Sequence, residues 1–233
     1  GTIGEPNLTP QTADTFEGMI GYDFTEDFGM TIGAFMLQAK NLVMSFKGGR
    51  VGIESRNADA TSTGLELNVD LKHEKWFLLK LNASYLLSAE VEAKPKEGEL
   101  ETSFKLTPFG KGAIDAGRYP GLMANIHMRA TFEEYYLRFG ANLHFVGSRN
   151  ASLLNNMVFD PLNLDNTYTL DAFMLARATL STTGLFLVSD YEETVFSIMY
   201  MGTVMGEQVD AGFGGVDVPG FGPQVFLKLT QQF

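Results

Sequence analysis

Two histidines are the residues of this sequence whose type and spacing could form a metal site. His127 and His144 fall on neighbouring segments, and a neutral imidazole is the commonest metal ligand in proteins. A two-residue turn at Glu133-Glu134 would place Met123, not His127, opposite His144. We therefore predict that the two rings share no metal ion and that the protein binds no cofactor.

The same pairing would bring two arginines together. Arg129 would lie opposite Arg138, and like charges that face each other directly destabilise a strand pair. The two guanidinium groups therefore predict an acidic partner. That partner is either a carboxylate from another part of the protein or an anionic ligand.

A second set of charges can satisfy itself. Glu66 and Lys80 fall in one predicted hairpin, residues 63–88, together with Asp70 and Lys72. These four charges can compensate one another on a polar face, so they require no catalytic explanation. The sequence also lacks the G-x-S-x-G turn of serine hydrolases. We predict that the protein is not an enzyme.

The composition excludes several classes of protein. The chain has 233 residues and a net charge of −11, whereas nucleic-acid-binding proteins carry a basic stripe. It has no cysteine, so it forms neither disulfides nor thiolate zinc sites. No apolar run approaches the 18 or more residues of a membrane helix. A helical membrane protein is excluded, but a membrane β-barrel is not.

The elements that must position these residues are β-strands, because apolar and polar side chains alternate with a period of two. The clearest runs cover residues 63–72, 77–88, 122–132 and 135–145. Their length is close to the roughly 9–11 residues with which a tilted strand crosses a bilayer. The leucine-rich face is predicted to contact lipid. The polar face would line a lumen and would carry Glu66, Lys80, His127, Arg129, Arg138 and His144.

Short and long connections alternate along the chain. We count nine strands, at 14–24, 28–36, 63–72, 77–88, 122–132, 135–145, 170–180 with a bulge near Gly184, 194–201 and 225–233. Short turns are predicted at 25–27, 73–75, 133–134 and 190–192, and long connections at 38–60, 91–118, 148–166 and 202–222. Aromatic residues flank the short turns. This pattern is typical of an up-and-down outer-membrane β-barrel with short periplasmic turns.

The odd number of strands has a consequence for the domain. Bacterial single-chain barrels have an even strand count, and an open sheet edge in lipid leaves N–H and C=O groups unpaired at several kcal/mol each. The first and last strands must therefore pair with strands that this sequence does not contain. We predict that residues 1–233 are either the C-terminal portion of one larger barrel domain or one chain of a barrel built from several chains, with the missing strands in the same protein or in a partner chain.

Three segments resemble TonB-dependent outer-membrane receptors. The opening is similar to a segment of that family at Pro6, Leu8, Pro10, Thr12, Glu17 and Tyr22, and residues 57–71 are similar at Thr63, Gly64 and Glu66. The last strand resembles the closing strand of the family, which also serves as a barrel-assembly signal, at Val225, Leu227, Leu229 and Phe233. The resemblance implies a 22-stranded barrel.

The resemblance also implies a function and a location. It implies TonB-dependent uptake of a scarce nutrient such as a metal chelate, cobalamin or a saccharide. The barrel would lie in the bacterial outer membrane, in contact with the lipid bilayer and lipopolysaccharide, with its C-terminus in the periplasm. Its partners would be a plug domain, whose carboxylates could meet the lumen arginines, and the TonB complex. Plug and upstream strands are not part of these 233 residues.

One alternative to transport is open. A structural barrel that anchors a multi-protein envelope complex would share the same strands and the same alternation. The family's arginine after a Pro-Gly pair is replaced here by Phe221, which favours this alternative. A porin would predict a charged constriction loop, and a lipocalin-like binder would predict an apolar interior, which the polar inward faces contradict.

Overall fold

The fold is a single antiparallel sheet whose strands follow chain order. The computed structural model describes residues 2–3, 10–47, 53–93, 103–106, 120–150, 169–188, 192–210 and 218–231. The long strands of these ranges are β1 (Thr12–Thr25), β2 (Phe28–Lys47), β3 (Ile53–His73), β4 (Phe77–Ala93), β5 (Leu122–Phe132), β6 (Leu137–Val146), β7 (Phe173–Thr182), β8 (Thr194–Met205) and β9 (Gln224–Gln231). Each pairs with the next. The predicted nine-strand, all-β, up-and-down arrangement is confirmed.

Further short strands lie at the end of the sheet where the long connections join the strands. Ser103–Leu106 pairs with β4, and Thr2–Ile3 runs parallel to the start of β3. Arg149–Asn150 pairs with Thr169–Leu170, and Val209–Asp210 pairs with Val218–Pro219. In the described part of the chain, no helix is long and apolar enough to cross a membrane.

One face of the sheet is apolar from edge to edge. A single hydrogen-bonded row runs through Leu227, Ile198, Leu180, Phe139, Ala130 and Phe77 on six consecutive strands. Large side chains on this face are exposed, with Ile20 at 81% and Leu227 at 79%. An exposed apolar band of this extent is characteristic of a barrel wall in contact with lipid.

The β2–β3 hairpin is longer than the sequence predicts. Its strands pair as far as Lys47 and Ile53, so the predicted long connection at 38–60 is wrong. The reason is a β-bulge, in which Lys40 and Asn41 together face Asp59. A bulge shifts the alternation by one residue, and this interruption looks like the end of a strand in the sequence.

Two other predicted connections begin too early for a related reason. Strand β4 runs to Ala93 past a bulge at Leu87, and β8 runs to Met205. The connections predicted at 91–118 and 202–222 are therefore shorter at their start. Residues 151–168, which include most of the connection predicted at 148–166, lie outside the described ranges.

Tight turns join the strands at the opposite end. Those after β1 and β3 fall where the sequence predicts them. After β5, a 3₁₀ turn at Glu133–Tyr135 is followed by Tyr136 in the left-handed conformation.

The connection between β7 and β8 is longer than predicted, because β7 ends at Thr182 and β8 begins at Thr194; residues 189–191 lie outside the described ranges. Gly184 belongs to this connection with φ +65°, and the bulge of the β7–β8 pair lies instead at Val204 of β8, opposite Met174 and Leu175.

Aromatic side chains gather at these tight turns, as predicted. The rings of Phe24 and Phe28 stack at 4.9 Å. Trp76 contacts Phe77 at 5.4 Å and Phe132 at 6.5 Å, which links two neighbouring turns. Aromatic rings favour the level of the lipid headgroups, so this cluster marks one edge of the apolar band.

Candidate functional site on the polar face

All six sequence-predicted site residues of the lumen lie on one face. The pairing from β3 to β6 places Glu66, Lys80, His127, Arg129, Arg138 and His144 on the side opposite the apolar rows. Strand alternation alone produces this result, since side chains two residues apart share a face. The prediction of a shared polar face is confirmed, whereas the partners of the residues on β5 and β6 differ from those predicted.

The predicted register between β5 and β6 is wrong by two residues. The turn takes Glu133 to Tyr136, so Phe132 pairs with Leu137. Arg129 consequently faces Gly140, and Arg138 faces Thr131 on one side and Ser181 on the other. The two arginines are diagonal neighbours and not a directly opposed pair. A slip of two residues keeps each side chain on its face but changes its partner.

Each histidine of this face is paired with an asparagine of the neighbouring strand. Nδ1 of His127 lies 2.8 Å from Oδ1 of Asn142, and Nδ1 of His144 lies 2.7 Å from Oδ1 of Asn125. Each strand carries an Asn-x-His sequence. Because the two strands are antiparallel, the asparagine of each faces the histidine of the other. Because the amide oxygen accepts, each ring donates from Nδ1 and leaves Nε2 directed away from this bond.

These hydrogen bonds belong to longer rows on the same face. One row contains Asn68, Asn82, Asn125 and His144, and Asn82 Nδ2 donates to Asn68 Oδ1 at 2.5 Å. The next row contains Asp70, Lys80, His127, Asn142 and Arg177. Together the two rows form a continuous strip of hydrogen-bonding groups across the middle of the sheet. Within the described ranges, no group of three or more His, Cys, Asp or Glu side chains is placed to hold a metal ion.

The predicted charge compensation in the β3–β4 hairpin is confirmed for one pair. Lys80 Nζ lies 3.1 Å from Asp70 Oδ1, and both side chains are about half exposed. An ion pair this accessible to solvent contributes roughly 0–1 kcal/mol to stability. Glu66 faces Gly33 and Ser84. The Lys80–Asp70 pair therefore neutralises charge on the wall and stabilises the fold little.

Charge is distributed unevenly over the polar face. Strands β5 to β9 contain four cationic residues and no Asp or Glu. These four, Arg129, Arg138, Arg177 and Lys228, all lie on the polar face and are exposed. Among the long-strand residues whose side chains the structure describes, the acidic residues of this face are Glu17, Asp23, Glu66 and Asp70, all on β1 and β3.

The importance of one glycine of the polar face is missed by reasoning on single strands. A Cβ atom at Gly64 would overlap the ring of Phe35 on β2 and would lie 2.8 Å from the carbonyl oxygen of Tyr85 on β4. Gly64 is buried beneath this ring. The sequence signal for the contact is the large aromatic residue Phe35, which follows the small residues Gly29, Thr31 and Gly33 on the same face of β2.

The last strand displays three of its four predicted assembly-signal residues. Val225, Leu227 and Leu229 lie on the apolar face with exposed fractions of 67%, 79% and 62%. They pair with Tyr200, Ile198 and Phe196 of β8. Phe233 lies outside the described residues. A role of this strand in barrel assembly stays a prediction.

A one-layer antiparallel sheet in chain order, apolar on one face and polar on the other, defines the wall of a transmembrane β-barrel. In such a wall the polar face lines the lumen. Residues 1–185 match the family described as "TonB dependent receptor-like, beta-barrel", and the chain belongs to this family.

Solved receptor structures share the fold. The pyoverdine outer membrane receptor FpvA from Pseudomonas aeruginosa PAO1 superposes with a TM-score of 0.63 at 9% identity, covering 97% of this chain and 30% of the receptor. The outer membrane transporter YddB from Escherichia coli gives 0.61 at 14%, covering 100% and 34%. The FrpB iron transporter from Neisseria meningitidis gives 0.60 at 13%, covering 98% and 31%.

The chain thus spans about a third of the length of these structures. No curated protein matches its sequence. The matched family is one of TonB-dependent receptor-like barrels and not of enzymes. Two of the similar structures, FpvA and YddB, are outer-membrane proteins.

Proposed function

We propose that the chain forms part of the barrel of an outer-membrane receptor that takes up a scarce nutrient in a TonB-dependent manner. The family match over residues 1–185 is the observation that carries this proposal. One neighbour in structure is a pyoverdine receptor and another is an iron transporter. A metal chelate is therefore the first substrate class to test, ahead of cobalamin and saccharides.

Residues 1–233 supply the C-terminal portion of the barrel in this proposal. Every side chain of β1 is exposed, and within the described residues neither β1 nor β9 has a partner on its outer edge. Backbone groups at such edges must be hydrogen-bonded inside a membrane. Further strands of a barrel, of the 22-stranded class, would pair with both edges.

The orientation follows from the two ends of the sheet. Short turns lie on the periplasmic side of bacterial barrels and long loops on the outside. The chain would accordingly place its tight turns and the end of β9 in the periplasm, and the tip of the β2–β3 hairpin beside lipopolysaccharide. Its further partners would be the bilayer, a plug domain and the TonB complex.

The two rows of hydrogen-bonding groups across the middle of the sheet would contact the plug or the passing nutrient. His127, His144 and their asparagine partners offer donors and acceptors in the middle of the wall, and Arg129 and Arg138 offer positive charge nearer the turns. Glu66 and Lys80 complete this lumen surface on β3 and β4. The alternative of a transport-inactive structural barrel is not favoured by the family match.

Uptake by living cells tests this proposal. The gene for the full-length protein is deleted in its host, and accumulation of ⁵⁵Fe-labelled chelates, labelled cobalamin and labelled oligosaccharides is measured. We expect loss of uptake of one of these classes, restoration by a plasmid copy, and the same loss when tonB is deleted. Unchanged uptake of all three classes in the deletion strain would refute a transport function.

A further inference from the structure

The polar face of strands β5 to β9 carries charge of one sign, opposite to the net charge of the chain. The chain carries a net charge of −11, yet strands β5 to β9 hold cations and no carboxylate. We call Arg129, Arg138, Arg177 and Lys228 the basic wall. Within the described residues none of the four forms an ion pair, and the one recorded partner of the Arg177 guanidinium is the neutral sulfur of Met201 at 3.5 Å.

The basic wall has room for a ligand between its charges. Ser181 and Ser197 lie in the same row as Arg138 and Lys228 and separate them across four strands. Strands are about 4.8 Å apart, so Arg138 and Lys228 arise about 14 Å from each other, and both have long side chains. Gly140 beside Arg129 leaves further open space, since a Cβ there would touch only a carbonyl oxygen at 4.0 Å.

We propose that the basic wall binds small solutes that carry two or more carboxylate or phosphate groups, and that the nutrient of this receptor belongs to this class. The inference rests on the proposed uptake function and names its substrate chemistry. Guanidinium groups bind carboxylate and phosphate oxygens in bidentate fashion. Contacts of exposed charges are individually weak and are screened by salt, so the ligand needs several anionic groups.

The inference is tested at an introduced cysteine in the full-length protein in detergent micelles. Its reaction rates report the local electrostatic potential, and added anions report protection of the site. These 233 residues contain no cysteine, so S197C gives one thiol within the basic wall once any cysteine elsewhere is replaced. Its modification rate is measured with an anionic and a cationic methanethiosulfonate reagent. S84C, whose neighbour across the strands is Glu66, is the matched control on the acidic half of the same face.

We expect the anionic-to-cationic rate ratio at S197C to exceed that at S84C by about tenfold at low salt. Citrate and pyrophosphate, but not glucose, should slow the anionic reagent at S197C, and R138Q with K228Q should abolish both effects. K75Q, which removes a cation from the tight turn after β3, should leave them unchanged. S181C provides a second thiol if S197C does not fold.

Three results would overturn the inference. The first is an equal anionic-to-cationic rate ratio at S197C and S84C, and the second is no protection by either anion. The third is that neither thiol reacts with either reagent, which would show that other parts of the protein cover this face. Each can occur while nutrient uptake by cells persists, so failure of the anion site is distinguishable from failure of the transport proposal. Unchanged uptake of all three nutrient classes in the deletion strain, together with an intact anion effect at S197C, would refute the transport proposal and leave the anion site in place.

Discussion

The ring of Phe35 lies over Gly64 on the neighbouring strand, where a methyl group on Gly64 would overlap it. This contact packs β2 against β3 on the polar face. It also gives a physical reason for a glycine in a strand, where glycine is otherwise unfavourable.

Gly64→Ala should destabilise the folded barrel. The new methyl group must displace Phe35 and approaches the carbonyl oxygen of Tyr85, and overpacking of this kind costs about 1–3 kcal/mol. The free energy of unfolding of the full-length protein in lipid vesicles, measured by urea titration, reports the loss.

Gly18→Ala is the matched control for this substitution. No atom lies within 4 Å of a Cβ built on Gly18 of β1, so we expect little change in stability. Phe35→Leu combined with Gly64→Ala should recover part of the lost stability, because the smaller leucine side chain leaves space for the new methyl group. Equal effects at Gly18 and Gly64 would contradict the contact.

A disulfide should distinguish the observed β5–β6 register from the one predicted by a two-residue turn. Asn125 and His144 are directly paired, at a Cα separation of about 4.5–5.5 Å, which suits a disulfide. N125C with H144C should therefore cross-link on mild oxidation of the full-length protein, as read from a thiol count by mass spectrometry.

The comparison pair is M123C with H144C. These positions are diagonal in the observed register, at about 7–8 Å, and should cross-link poorly. More efficient bond formation by this second pair than by N125C with H144C would mean that the shorter turn is correct.

Leu227→Lys should reveal the medium that surrounds the apolar face. Leu227 is 79% exposed and pairs with Ile198. A lysine facing lipid costs about 2–4 kcal/mol near the midplane of the bilayer, whereas at a water-exposed position it would cost almost nothing. The unfolding free energy in vesicles, or the yield of folded barrel in the outer membrane, measures the difference.

Thr230→Lys on the lumen face of the same strand is the control. Thr230 pairs with Val195 and shares a face with Lys228, so a further lysine there stays hydrated. A loss at Leu227 no greater than at Thr230 would show that β9 does not contact lipid.

Asn41→Gly should be tolerated, whereas Asn41→Val should not. Asn41 has φ 56°; its backbone N–H donates to Asp59 Oδ1 at 2.9 Å, and its carbonyl accepts from Asn57 Nδ2 at 2.7 Å. Glycine keeps these backbone bonds and adopts positive φ freely, but a β-branched residue in this conformation costs about 1–2 kcal/mol or more.

The measurement is again the unfolding free energy of the two variants against the unmodified protein. Glycine loses the bond from Asn41 Nδ2 to the carbonyl oxygen of Pro10 at 3.2 Å but keeps the positive φ that the bulge requires. If valine were as well tolerated as glycine, the bulge would not require a left-handed residue.

The sequence by itself determined which face each strand residue occupies. Side chains alternate along any strand, so Glu66, Lys80, His127, Arg129, Arg138 and His144 could be assigned to one polar face without knowledge of their neighbours. The number of long strands and the tight turns predicted at 25–27 and 73–75, which lie within one residue of the observed turns, followed from the same alternation and from turn residues.

Only the tertiary structure decided which residues meet. Register depends on how many residues a turn consumes, and the four-residue turn ending at Tyr136 moved His144 from Met123 to Asn125. Bulges at Asn41 and Leu87 shift the alternation, and they hid the true length of two hairpins. Hydrogen bonding between strands fixes these features, and it acts between segments that are remote in sequence, where periodicity within one strand carries no information.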